Sequence, residues 1–205
     1  VSAPTVFLVG ENGQGKSNFL DALYTLSYGA SFRGGTDLEA AKLGTKAWSL
    51  RRQSNDDTGL DDELVVAWDE GKKLLKENGK AIPDRKYLVD KTPAVVFCHG
   101  DMEFAQGEPE RRRFFFDQTA GLVSLAYIDA LRSYRRALKA RNAALKEKML
   151  DVLDILDIQL ATYGTELIGG RKDLIQGFEN MFSERYEQVS RLGSKVGLEY
   201  RPSWP

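Results

Sequence analysis

The chain has 205 residues, 42% of them hydrophobic and 29% charged, which is enough apolar material for one large domain or two small ones. Its formal net charge of −1 means that any nucleic-acid surface must be a local concentration of base, not a property of the whole chain. A single cysteine, Cys98, and a single histidine, His99, exclude an intramolecular disulfide and argue against structural zinc. This usage fits a reducing compartment, and the expected location is cytoplasmic. No apolar run reaches the roughly 20 residues of a membrane helix, and no signal-peptide pattern opens the chain.

Residues 5–9 (TVFLV) form a short apolar run of strand character, followed by a glycine-rich turn. From Lys16 to about Tyr28, the residues Phe19, Leu20, Leu23 and Leu26 approach helical spacing, and Gly29 is a fitting end for that helix. Strand, glycine loop and helix make the first half of a βαβ unit. Residues 46–82 read as an antiparallel β region. Ala47, Ser49 and Arg51 alternate there with Trp48, Leu50 and Arg52, residues 63–68 (ELVVAW) form a second strand, and Asn78-Gly79 signals a type I′ hairpin. The polar run 54–62 reads as a mobile loop. Residues 94–98 (AVVFC) read as a buried strand. From Pro109 to about Leu192 the pattern is helical, with Ile128, Leu131, Leu138 and Leu145 on one face and with Gly164 and Gly169-Gly170 as expected bends. Residues 197–201 (GLEYR) resemble the start of a further strand.

The motif that carries chemistry is Gly10, Glu11, Asn12, Gly13, Gln14, Gly15, Lys16 and Ser17, which fits G-x-x-x-x-G-K-[ST] at each fixed position. Backbone N–H groups must converge on phosphate oxygens, and glycines let the chain curl without Cβ clashes. The loop opens a helix, so the positive end of the helix dipole faces the anion. Lys16 is expected to reach the β- and γ-phosphates of ATP, and the Ser17 hydroxyl to ligate Mg²⁺. The loop itself does not read the base.

The stretch GENGQGKSNFLDALYTLSYGASFRG resembles the RecF family of bacterial recombination and replication-repair ATPases, through Asn12, Asn18 and the ending GASFR. Residues 95–118 (VVFCHGDMEFAQGEPERRRFFFDQ) look like the segment that joins the two lobes of that family's head. Residues 127–146, with SYRRALKARNAALK, and the closing EYRPSW are also similar. The resemblance implies an α/β P-loop head of ABC type with an antiparallel β subregion and a helical second lobe. Residues 1–100 would be the ATP-binding lobe I and 101–205 the helical lobe II. It also implies ATP and Mg²⁺ as cofactors, an ATP-dependent homodimer sandwiching nucleotide between two heads, and slow hydrolysis. Double-stranded DNA and mediator proteins of the same pathway would be its partners, in recombinational repair, replication-fork recovery and the SOS response. Family members continue into a part carrying the signature motif, the Walker B acids and the catalytic glutamate. The nearest approach to Walker B here, residues 152–157 (VLDILD), lies in a helical pattern and reads as solvated charge. The chain is therefore expected to be an N-terminal portion with no catalytic residue of its own and negligible turnover.

Weaker signals stay open. Asp101 and Gln106 compete for the role of Mg²⁺ and γ-phosphate sensor, and each also reads as an ordinary loop residue. Arg33 is a candidate contact to nucleotide or DNA, or a plain surface arginine. Arg111, Arg112 and Arg113 are candidate phosphate contacts, or a solvated helix start paired with Glu108 and Glu110. Arg132, Arg136 and Lys139 recur at helical spacing, as a stripe that follows a duplex backbone or as an ordinary polar face. His99 beside Cys98 is read as inert, and Phe114, Phe115 and Phe116 as core packing. Two rivals remain at this level: a small-molecule or nucleoside kinase, and a structural-maintenance-type head acting as a non-catalytic interaction module.

Overall fold

The structure is a computed structural model that describes residues 4–55, 61–98, 101, 104, 107–193 and 196–202. The chain divides into two units, Val1–Cys98 and His99–Pro205.

In the first unit, helix α1 (Lys16–Tyr28) precedes a four-stranded antiparallel sheet of β1 (Ala47–Asn55), β2 (Asp61–Asp69), β3 (Lys72–Glu77) and β4 (Lys80–Ala81), in the order β1-β2-β3-β4. Both tight turns of the sheet use left-handed residue pairs, Glu70-Gly71 at φ 43° and 92° and Asn78-Gly79 at φ 49° and 78°. That backbone twist matches the twist of the flanking strands, which is why Asn-Gly announces a hairpin. The Asn78 side chain adds to the turn, accepting from Glu63 N at 2.8 Å. Alternation places Leu50, Val66 and Leu75 in one register row across the inner face. Leu26 of α1 and Leu88 of the short helix α2 (Lys86–Lys91) cover that face. Leu64, Val66 and Leu88 are at most 1% exposed, and each such side chain contributes about 1.5–3 kcal/mol by leaving water.

Three expected strands are not strands here. Residues 5–9, 94–98 and 197–201 are not assigned to any ladder. The first two keep the alternation of a strand. Phe7 and Val9 are 83% and 93% exposed against 48% and 39% for Val6 and Leu8, and Val95 and Phe97 are 82% and 91% exposed. Apolar alternation gives an extended conformation, but a strand exists only when a neighbour accepts its hydrogen bonds. Among the described residues neither segment has one. The α1 expectation also changes: Leu26 is buried, whereas Phe19, Leu20 and Leu23 are 42–50% exposed. The face that packs carries Asp21, Tyr24 and Thr25. Within the expected mobile loop, β1 and β2 run further than the polar composition suggests, pairing Ser54 with Asp62 and Asn55 with Asp61. Residues 56–60 of that loop lie outside the described residues.

The second unit is helical: α3 (Pro109–Val123), α4 (Leu125–Lys146), a 3-10 turn at Leu150–Val152 and α5 (Leu153–Ser190). Pro109 starts α3, where its missing N–H costs nothing. The Ser124 hydroxyl caps α4 by accepting from Tyr127 N at 3.3 Å. The α4 face that is buried is not the expected leucine row. It is Ala130, Ala137 and Ala144, seven residues apart, while Leu138 and Leu145 are 38% and 44% exposed. Leu160 and Leu167 on α5 have the same spacing and are 6% and 3% exposed. Small residues opposite leucines at heptad intervals let two antiparallel helices approach closely. Gly164, Gly169 and Gly170 do not break α5, which is continuous over 38 residues. Packing along one face outweighs the roughly 1 kcal/mol that each helical glycine costs.

Candidate nucleotide-binding site

The 10–17 octapeptide is curled. Gly13 and Gly15 take φ of 82° and 89°, values that side chains resist. Gly15 is the N-cap of α1, and its carbonyl accepts from Phe19 N at 2.9 Å. A Cβ added at Gly10, Gly13 or Gly15 would meet no atom within 4 Å, so the space before the loop is open. Backbone conformation, not crowding, is what requires glycine at 13 and 15. Residues 10–14 are exposed, and Ser17 is exposed in the first turn of α1. Lys16 folds back across the loop, and its Nζ donates to Gly10 O and Glu11 O, both at 2.7 Å. The ammonium is therefore held on two loop carbonyls, in the residue that opens a 13-residue helix at its positive end. No acidic residue lies in that helix's first turn to compete with an anion.

A second feature of α1 escaped sequence reading. The chain returns after Gly29 and lays residues 31–33 along the helix. The Asp21 carboxylate, 7% exposed, accepts from Ser31 Oγ at 2.9 Å, from Phe32 N at 3.0 Å and from Arg33 Nη2 at 3.2 Å. The same Arg33 nitrogen donates to Asn18 Oδ1 at 2.9 Å. Tyr24 meets the Phe32 ring edge-on at 5.7 Å between centroids. Asn18, Asp21 and Tyr24 share one face by helical spacing, but the sequence offers no sign of what covers it.

The remaining predicted residues are placed as follows. Asp101 is exposed, and Gln106 and His99 lie outside the described residues. Arg111 and Arg113 are exposed on α3, whereas Arg112 donates to Gly107 O at 3.0 Å and ties down the helix start. Arg132, Arg136 and Lys139 lie on α4. Arg136 and Lys139 are exposed, and Arg136 donates to Ser133 Oγ at 3.2 Å. Asp157 pairs with Arg141, and Asp154 is exposed in the first turn of α5. Phe115 and Phe116 form an aromatic cluster with Phe104, with centroid distances of 4.9 and 6.0 Å. Cys98 is exposed. Among the described residues, no cluster of three or more His, Cys, Asp or Glu is arranged for a metal ion. No described helix is long and apolar enough to cross a membrane.

A glycine loop curled at the mouth of α1 and an antiparallel sheet in one unit, with a second unit made of helices, define an α/β P-loop ATPase head of ABC type, of which this chain covers part. The comparisons agree. The chain is 37% identical over 204 residues to "DNA replication and repair protein RecF" of Treponema pallidum (strain Nichols), covering 100% of this chain and 58% of that protein. It is 32% identical over 197 residues to RecF of Porphyromonas gingivalis (strain ATCC BAA-308 / W83), covering 95% and 54%. The solved "recombination mediator protein RecF-ATP in RecFOR pathway" superposes with a TM-score of 0.80 at 28% identity, over 88% of this chain and 50% of that one. The RecF-ATPrS structure of the same pathway gives 0.79 over 89% and 51%. The chain is homologous to RecF over that protein's N-terminal portion. It spans a little over half the length of these curated relatives, and no family model matches it.

Proposed function

We propose that this chain supplies the ATP-binding loop of a RecF-type protein that binds duplex DNA in recombinational repair. One observation carries the reading: the 10–17 loop is curled and open at the mouth of α1, with Lys16 across it, in a chain similar to a solved RecF-ATP structure. The residues present fit the cofactor. The amides of 13–17 would hold phosphate oxygens, Lys16 would exchange the Gly10 and Glu11 carbonyls for the β- and γ-phosphates, and Ser17 would ligate Mg²⁺. Arg33, on Asn18 at the first turn of α1, is a further cation for the phosphate end of this site. Arg111, Arg112, Arg132, Arg136 and Lys139 are proposed contacts to DNA phosphates, and Asp101 and Gln106 the sensors of bound Mg²⁺ and γ-phosphate. Two such heads would join around the nucleotide into a dimer, with which mediator proteins of the same pathway would act. Chemistry of this kind is positioning and charge neutralisation.

The test is binding of a fluorescent ATP analogue with Mg²⁺ to this chain and to Lys16→Ala. Losing a charged contact of about 1.5–3 kcal/mol weakens binding about 10- to 150-fold. Equal affinity for the two proteins overturns the reading, as does phosphorylation of a small acceptor. For DNA, a full-length protein is measured with and without ATP, and duplex binding that ATP does not stimulate removes that part.

A further inference from the structure

We infer that Asp21 is a positioning residue of the nucleotide site: it holds the 31–33 turn on the flank of α1 and so presents the Arg33 guanidinium at the helix's phosphate-facing end. The inference rests on the ATP-binding reading above. The Asp21 carboxylate is buried and its bonds all go to one short turn: Ser31 Oγ reaches both oxygens at 2.9 Å, and Phe32 N and Arg33 Nη2 complete the set. Ser31 Oγ also accepts from Arg33 N at 3.1 Å, so the turn is braced from inside as well. A buried carboxylate needs such donors to offset its lost hydration.

The geometry does more than fill a carboxylate. Arg33 is split between two acceptors on the same helix face, Asp21 and Asn18, and Asn18 directly follows Ser17. The Arg33 side chain stays 48% exposed, whereas Asp21 is 10% exposed by side chain. One end of the guanidinium is thus fixed while the rest remains open for an anion. Lys16 and Arg33 enter from opposite directions in sequence, one from within the loop and one from beyond the helix. The Asp21 clamp, with Asn18 as the second acceptor, brings the latter to the first turn. A long arginine left unheld would sample many rotamers, and ordering it on binding would weaken affinity.

The experiment measures the affinity of the ATP analogue with Mg²⁺, alongside thermal melting, for Asp21→Asn, Arg33→Ala, their double variant and Lys16→Ala. Asparagine keeps an oxygen for Ser31 and Phe32 N but lacks the charge that orients Arg33. The expected result is a loss of at least fivefold for Asp21→Asn, a similar loss for Arg33→Ala, and a double variant no weaker than Arg33→Ala alone. A purely structural Asp21 would lower the melting temperature but multiply independently with Arg33→Ala in the affinity measurement, and that result overturns the inference. So does an Asp21→Asn affinity within twofold of wild type. If Asp21→Asn does not fold, Ser31→Ala tests the same clamp without uncovering a charge, and unchanged affinity there is equally fatal. Wild-type affinity that Lys16→Ala leaves intact sinks the ATP reading itself, and with it this inference.

Discussion

Gly170 of α5 lies directly beneath the ring of Tyr127 on α4: a Cβ at Gly170 would come within 2.7 Å of both Cδ2 and Cε2. The ring is not free to retreat, because its hydroxyl donates to Asp117 Oδ1 at 2.6 Å. Gly170→Ala therefore forces α4 and α5 apart, at a cost of about 1–3 kcal/mol that exceeds the gain of roughly 1 kcal/mol in helix propensity. The adjacent Gly169 has nothing within 4 Å of a built Cβ, so Gly169→Ala stabilises by up to about 1 kcal/mol. Urea denaturation of the two variants should move in opposite directions. A stabilised Gly170→Ala refutes the close packing.

Asp117 is the shared partner of three helices. It accepts from Tyr127 and pairs with Arg171 at 2.8 Å, with side-chain exposures of 13% for Arg171 and 7% for Asp117, and Arg171 reaches the Tyr200 hydroxyl at 3.4 Å. Asp117→Ala leaves a guanidinium buried without its counter-charge and should cost about 3–5 kcal/mol. Adding Arg171→Met removes the orphaned charge, so the double variant should be more stable than Asp117→Ala alone. A double variant as unstable as the sum of the singles contradicts this.

Tyr28 predicts an alkaline transition in the first unit. Burial, with the neighbouring Tyr24, pushes its phenol up from 10.0 to about 12, and its hydroxyl donates to Ala94 O at 2.8 Å. The unfolded phenol ionises first, so the stability this group contributes is complete below pH 10.0 and is lost as pH rises toward about 12. Denaturation midpoints should fall across that window and fall less in Tyr28→Phe. An identical pH profile for the two proteins rejects the assignment.

The α4 stripe makes a prediction in salt. If Arg132, Arg136 and Lys139 each contact a duplex phosphate, every charge removed by substitution to glutamine lowers the slope of log affinity against log salt by about 0.9. The effect is uniform across DNA sequences, because phosphate contacts carry no base information. Binding measured by fluorescence anisotropy over a salt series in a full-length protein is the check. An unchanged slope assigns the stripe to an ordinary solvated helix face.

Sequence legibility followed the range of the interactions involved. The 10–17 loop, the Asn78-Gly79 hairpin, the end of α1 at Gly29 and the helical character of 109–192 are local matters of glycine conformation and side-chain period, and each is visible in a few consecutive residues. The Asp21 clamp was not, since it joins residues 10 to 12 positions apart across the end of α1, and nothing in the spacing of Asp21 and Arg33 says that the chain turns back between them.

The sequence by itself therefore determined which backbone shapes each segment prefers and where the curled glycine loop of residues 10–17 lies. Tertiary structure alone decided which faces are buried: alanines rather than leucines on α4, Tyr24 and Asp21 rather than Phe19 and Leu23 on α1, and extended but unladdered chains at 5–9 and 94–98. The physical reason is that conformational preference belongs to a residue and its near neighbours, whereas burial and strand pairing need a second surface, and period alone does not name that surface.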